Sequence, residues 1–414
     1  MLKLNIRTQI KKIYGFELSV CFRITDAVWV LFLLQRGFSL VQIGVAEGIF
    51  HVTSMVCEVP SGMLADLIGR KRMLMVSGLL GVLSALFMGM DGGLTAVCLG
   101  MIFSALSYNA MSGTEEAILY DSLLSGGEEG RFGSAWAVIS VIGRCGAAAA
   151  CLASPAAVAL GYRGTYLLGG LLSMLGFLFA ASLKEPQVTS AQKARQEQPF
   201  RQLGSRFAAH VKSCGIFMRE HPLTMCKLLA DAAIACPTYL LIMFSQEHLT
   251  ASGWPAAWIG LPLLFMRLCG AAGSWAASRS WGRRTRRTGW SLSRLMMVCG
   301  LLGGMGTLLA GSRSIGLIFL GAGLAQACEG FSAIKVSENT NRDFESDQRA
   351  TMVSVDSMLY SVLMIAASPV VGRISDGKGV PAGFAALGIG LIAGTLAAGG
   401  IYRAAVRRRR SVSV

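Results

Sequence analysis

Long apolar runs separated by short polar breaks make up most of the chain. Leu94–Met111 and Val380–Ile401 contain no charged residue. A run of about 18 or more apolar residues is long enough to cross the hydrocarbon core of a bilayer. The pattern predicts twelve such spans, near 13–35, 40–65, 73–90, 94–119, 133–159, 164–183, 222–246, 254–278, 289–311, 313–336, 350–373 and 380–402. Inside a bilayer each backbone N–H and C=O must find its partner within its own segment, so the spans are read as helices. Polar or glycine-containing breaks divide them at Arg36-Gly37, Asp91-Gly92-Gly93, Gly126-Gly127 and Asp376-Gly377.

Composition agrees with this pattern. Of the 414 residues 53% are apolar and 15% charged, with a mean hydropathy of +0.55. A soluble domain carries about 25% charged residues, so there is too little charge here to cover a soluble surface. The 11 cysteines are scattered singly through apolar stretches with no CxxC pair, and read as small buried side chains rather than metal ligands or disulfides. No phosphate-binding GxxxxGK[ST], HExxH or GxSxG motif occurs, so neither an enzyme nor an ATP-driven pump is expected. The 50 glycines read as helix-packing positions, and no cofactor or metal is expected.

The net charge of +15 has a pattern of its own. With the N-terminus placed in the cytoplasm, alternate loops carry 27 Lys and Arg and the opposite loops 5. That bias predicts both termini, and the 184–221 segment, on the cytoplasmic side. The positive charge is therefore assigned to topology, and no nucleic-acid partner is expected. The first apolar segment carries Glu17, Arg23 and Asp26 and lacks a small-residue cleavage pattern, so it is expected to remain as a helix.

Lys184 to Glu220 is the one long polar stretch, and it divides the spans six and six. Expected domains are therefore a six-helix bundle over 1–183, a linker over 184–221, and a second bundle over 222–414 with a basic tail. The halves resemble each other: Cys21, Arg23 and Asp26 in span one are matched by Cys226, Lys227 and Asp231 in span seven. Repeats of this kind are common in transporters, with the site near the membrane midplane.

Ser61 to Arg72 reads Ser-Gly-Met-Leu-Ala-Asp-Leu-Ile-Gly-Arg-Lys-Arg. With the six-plus-six layout, this closely resembles the loop between the second and third helices of the major facilitator superfamily. The resemblance implies an all-α membrane fold of twelve transmembrane helices in two pseudo-symmetric six-helix bundles. It also implies a cytoplasmic gate of Gly62, Asp66, Gly69, Arg70, Lys71 and Asp121. In that gate Gly62 allows close helix contact, Asp66 docks on the start of span eleven near Arg349 and Ala350, and Arg70 reaches Asp121.

Ionisable groups inside spans are costly and usually face a cavity or a partner. In the resembling family helices one, four, seven and ten line the central cavity, and much of the polar load here falls on those four. Expected cavity residues are Arg23, Asp26, Tyr108, Asn109, Lys227, Asp231, Gln326 and Glu329, with Arg144 from span five. Arg23 and Asp26, three apart, are expected on one helix face. Glu17, Glu47 and Glu58 are assigned to packing or interfaces. Asp26 and Glu115 are the expected proton-coupling residues. Burial penalises the Asp26 carboxylate while Arg23 favours it, so water entry in one state and exclusion in the other would change its hold on a proton.

The resemblance favours a monomeric secondary transporter in the cytoplasmic (inner) membrane that exports drugs or amphiphilic compounds by proton antiport. An importer or uniporter of a zwitterionic or anionic metabolite is the alternative, suggested by cavity charges of both signs. The charge bias yields the first prediction: alkaline phosphatase fused at residue 200 is inactive and at residue 92 active, and the reverse pattern overturns the orientation.

Overall fold

The computed structural model describes residues 5–186, 203–280, 292–343 and 346–412, and these are helical almost throughout, with no strand among them. The helices are α1 (Ile6–Cys21), α2 (Trp29–Gln35), α3 (Leu40–Ile68), α4 (Arg70–Gly89), α5 (Gly93–Met111), α6 (Thr114–Ser125), α7 (Phe132–Leu152) and α8 (Ser154–Ser182). They continue with α9 (Leu203–Glu220), α10 (Pro222–Ala251), α11 (Gly260–Ser280), α12 (Leu292–Ala310), α13 (Ile315–Asp343), α14 (Ser346–Lys378) and α15 (Val380–Val412). Eleven stretches among the described residues are long and apolar enough to cross a membrane.

The remaining expected span is interrupted. α1 ends at Cys21, Ile24–Ala27 forms a 3-10 turn, and α2 resumes at Trp29. Span four also differs from its expected limit: Gly113, at φ +70, separates α5 from α6, and the helical path continues to Ser125. Near the fifth and sixth spans the chain turns at Ala153, and again at Gly161 (φ 71), inside α8. Residues 187–202 of the expected linker and the basic loop at 281–291 lie outside the described residues, and the rest of the linker is largely the helix α9.

The chain forms two compact units. One holds Met1–Trp29 with Ile49–His210, the other Val30–Gly48 with Val211–Val414. The division at His210 falls inside the expected 184–221 interval, and residues 30–48 cross over to pack with the C-terminal helices.

In the N-terminal unit, Ile6, Ile10 and Ile13 recur at helical spacing on α1 and, with Phe16, pack on Leu74, Ile118, Leu119 and Ile139. Small residues bring the helices close. A Cβ on Gly78 would lie 2.8 Å from the Phe177 backbone nitrogen, and one on Gly176 would lie 2.9 Å from Val20. The α4 N-terminus is capped across the chain: the Glu185 carboxylate accepts the Arg70 N–H at 2.8 Å and the Lys71 N–H at 2.7 Å. A carboxylate bonded to the first helical N–H groups satisfies orphan donors and meets the positive end of the helix dipole. Gly69 makes this possible, since its φ is +94 and a Cβ there would lie 3.0 Å from the Glu185 carboxyl carbon.

The C-terminal unit has the same kind of cap. Asp376 accepts the N–H groups of Leu40 at 2.8 Å and Val41 at 2.9 Å, at the start of α3. Along the same contact, a Cβ on Gly44 would fall on the Ser368 carbonyl, and Ser368 Oγ donates to the Gly44 carbonyl at 2.8 Å. Glycine contacts also tie α13 to its neighbours, through Gly273 against Ala327, and through Gly306 against Gly321.

Gly62 differs from these positions. A Cβ there would meet nothing within 4 Å among the described residues, so none of them makes the close helix contact expected of it. The paired prediction is that Gly69→Ala lowers the melting temperature, by strain and displacement of Glu185 worth about 1–3 kcal/mol, whereas Gly62→Ala leaves it unchanged. Thermal unfolding of the purified variants checks both.

Candidate functional site

The break in the first span builds a polar cavity in the N-terminal unit. Backbone that leaves the helix at membrane depth is tolerated where it lines a cavity or is buried in protein. Here the turn is held by local bonds: Arg23 N–H to the Cys21 carbonyl at 2.9 Å, and Asp26 N–H to the Arg23 carbonyl at 3.0 Å. Arg23 and Asp26 both line a cavity of about 130 Å³ between the broken span, α4, α5 and α8. They are not on one helix face, as their spacing suggested, because the helix ends before them; the turn itself brings them to one cavity.

Hydroxyls supply the rest of the polar lining, among them Ser19, Ser77, Ser84 and Ser107. Each of these four donates its proton to a carbonyl. Ser77 and Ser107 donate to each other's carbonyls at 2.8 Å, Ser84 to Gly100 at 2.8 Å and Ser19 to Gly15 at 2.7 Å. Their oxygens retain acceptor capacity. The cavity thus offers many acceptors, one carboxylate and one guanidinium. The sequence did not single out these serines, because a serine every few residues in an apolar helix also reads as packing.

The other expected N-terminal residues are placed differently. Tyr108 is exposed, with its ring 6.3 Å from that of Phe50. Asn109 is buried and lies outside the cavity: its amide oxygen accepts from Ser54 Oγ at 2.9 Å and its nitrogen donates to the Ser54 carbonyl at 2.8 Å. Arg144 on α7 is not among the lining residues. Glu115 is buried and lies outside the cavity, and its Oε1 has no hydrogen-bond partner among the described residues.

Within the Ser61–Arg72 motif, Arg70 Nε lies 3.2 Å from Asp121 Oδ2, and both side chains are largely covered. Lys71 contributes its backbone N–H to the Glu185 cap. Asp66 is half-buried near the end of α3. The side chains of Arg349 and Ala350, its expected docking point, lie outside the described residues.

In the C-terminal unit Asp231 on α10 accepts from Ser332 Oγ at 3.1 Å and is within electrostatic reach of Glu329 and Asp356. Gln326 is buried and donates to the Thr238 carbonyl at 2.8 Å. Lys227 donates to Asn339 Oδ1 at 2.6 Å and lines a second, more apolar pocket with Ile234, Met296 and Met297. All eleven cysteines are free, and no cluster suited to a metal ion occurs among the described residues. Cys299 and Cys328 are buried in one apolar cluster with Ile234 and Leu391.

This architecture has counterparts. The nucleoside transporter NupG, in a mutant form, superposes with a TM-score of 0.72 at 16% identity, covering 97% of this chain and 99% of that one. A POT family transporter in complex with 5-aminolevulinic acid superposes with a TM-score of 0.66 at 14% identity, covering 94% of each chain. A curated relative from Bacillus subtilis (strain 168), the uncharacterized MFS-type transporter YxaM, is 34% identical over 112 residues, which is 27% of each chain. The match thus spans about a quarter of that relative's length. The sequence model of the Major Facilitator Superfamily matches residues 18–325. With its spans and its helical fold, the chain belongs to the Major Facilitator Superfamily, a multi-pass membrane transporter and not an enzyme.

Proposed function

We propose that the protein is a proton-coupled secondary transporter that moves a small polar solute across the cytoplasmic membrane by alternating access, with a zwitterion as the favoured cargo. The observation that carries this reading is the Arg23–Asp26 cavity. Its serine oxygens and Asp26 accept hydrogen bonds from a cargo ammonium or hydroxyl, and Arg23 meets a carboxylate, with which a guanidinium bonds in fixed geometry. A wholly apolar drug would take water from these groups and offer them no polar contact in return. A nucleoside transporter and a transporter in complex with 5-aminolevulinic acid, both of similar fold, agree with a polar cargo. The second reading, proton-coupled export of drugs or amphiphilic compounds, is favoured by the Met296–Met297 pocket, since methionine adapts to varied apolar shapes.

Asp66, Gly69, Arg70, Lys71 and Asp121 are assigned to a cytoplasmic gate, on the support of the Arg70–Asp121 pair and the Glu185 cap. Gly62, with open space beside it, is left out. Asp66→Asn is expected to reduce transport without changing membrane insertion; wild-type transport by this variant removes Asp66 from the gate.

Reconstituted protein in liposomes, with and without a pH gradient, tests the cargo. Labelled amino acids, dipeptides, a nucleoside and the lipophilic cation ethidium form the panel. Gradient-driven movement of a zwitterion, reduced about tenfold or more in Asp26→Asn, is expected from the loss of a charged hydrogen-bond partner. Movement of ethidium alone supports the second reading, and transport indifferent to the gradient overturns proton coupling.

A further inference from the structure

We propose that the outward face of α9 rests on the cytoplasmic leaflet of the bilayer and binds anionic phospholipid there through Lys212 and Arg219. This goes beyond the transport reading and does not depend on it.

α9 leads into the span of α10 without continuing it. His221, between the two helices, leaves helical geometry at φ −119 and ψ 57. The chain turns there, and Cys214 and Phe217 pack on Leu228 of α10, Met296 of α12, Val336 of α13, and Met352 and Val355 of α14. One face of α9 is thereby held against the ends of four spans. The charge bias puts these ends on the cytoplasmic side. That leaflet carries the anionic lipids, and it attracts basic segments next to a span.

The rest of α9 has the surface such a leaflet fits. Val211 is 45% exposed and Met218 39%, seven positions apart and so on one side of the helix. Leu229, on the span that follows, is exposed to the same extent at 44%, as a side chain facing lipid is. Lys212 and Arg219 are exposed and each follows one of these apolar residues. They sit about 100° further round the helix. Ile216, also exposed, lies beyond them, so the two cations are bordered by apolar side chains on both sides. Three of the side chains of α9 are Arg or Lys (Arg206, Lys212, Arg219), and Glu220, at its last position, is the single acid.

Water on this face would leave the apolar side chains hydrated, whereas acyl chains at the headgroup boundary cover them. Lys and Arg can lay their stems on such a boundary and put their charges among phosphates. The favoured occupant is thus a lipid with net negative charge: it matches the basic face, and the neighbouring span already lies in the bilayer. Cys214 and Phe217 hold α9 to the span ends from one side while lipid holds it from the other, so leaflet charge bears directly on the start of α10.

The full chain, reconstituted in vesicles of phosphatidylcholine alone or mixed with phosphatidylglycerol, tests this by amide hydrogen exchange across Leu203–Glu220. A cation beside an anionic surface gains roughly fivefold in association, so phosphatidylglycerol is expected to slow exchange in α9 by about fivefold or more. Raised salt reverses the slowing. The variant Lys212→Gln/Arg219→Gln loses it, and Lys212→Arg/Arg219→Lys, which keeps both charges, retains it. Exchange in α4 is the reference and stays the same in all three proteins, which shows that each is folded. Equal exchange of α9 in the two lipids, or slowing that persists in the glutamine variant, overturns the proposal. Slowing that follows the protein-to-lipid ratio rather than lipid charge assigns the face to a second copy of the chain, and overturns it as well.

Discussion

A charge inside a bilayer must be met by a partner, a cavity or a proton, and this constraint shapes the N-terminal unit. The first span carries Glu17, Arg23 and Asp26 within ten positions. A continuous helix would carry Arg23 and Asp26 on one face and Glu17 on another. The structure instead ends α1 at Cys21 and resumes at Trp29. The break lets Arg23 and Asp26 turn into one hydroxyl-lined cavity, while Glu17 stays on the helix beside Gly143.

Two carboxylates perform a parallel task at helix starts. Glu185 binds the first N–H groups of α4, and Asp376 those of α3. Each lies far along the chain from the helix it caps, so each cap fixes a tertiary contact while satisfying donors that a membrane would otherwise leave bare. Glycines at the same contacts, Gly69 and Gly44, let the backbones approach. Caps and glycines together give these helices their register without large apolar side chains, which gain little from burial when lipid is the alternative.

The fold was legible because hydropathy and length alone identify spans. The Ser61–Arg72 motif named the family, and the acid that meets Arg70 could be read from its place at the end of span four. The cavity was half legible: charges in span one marked it, but the break has no glycine or proline to announce it, so the shared helix face expected for Arg23 and Asp26 was mistaken. Asn109 looked like a cavity residue, yet Ser54, 55 positions earlier, takes its amide. Glu185 and Asp376 each find their role through a partner more than 100 residues away, and no local pattern carries that information.

The central claim is that a polar cargo binds at the break in the first span. A structure of the protein with the compound that the liposome panel identifies as transported tests it most directly. The account predicts cargo density between Arg23 and Asp26, in contact with the serines of α4 and α5. Density confined to the methionine-lined pocket beside Lys227, with the Arg23–Asp26 cavity free of cargo, contradicts it.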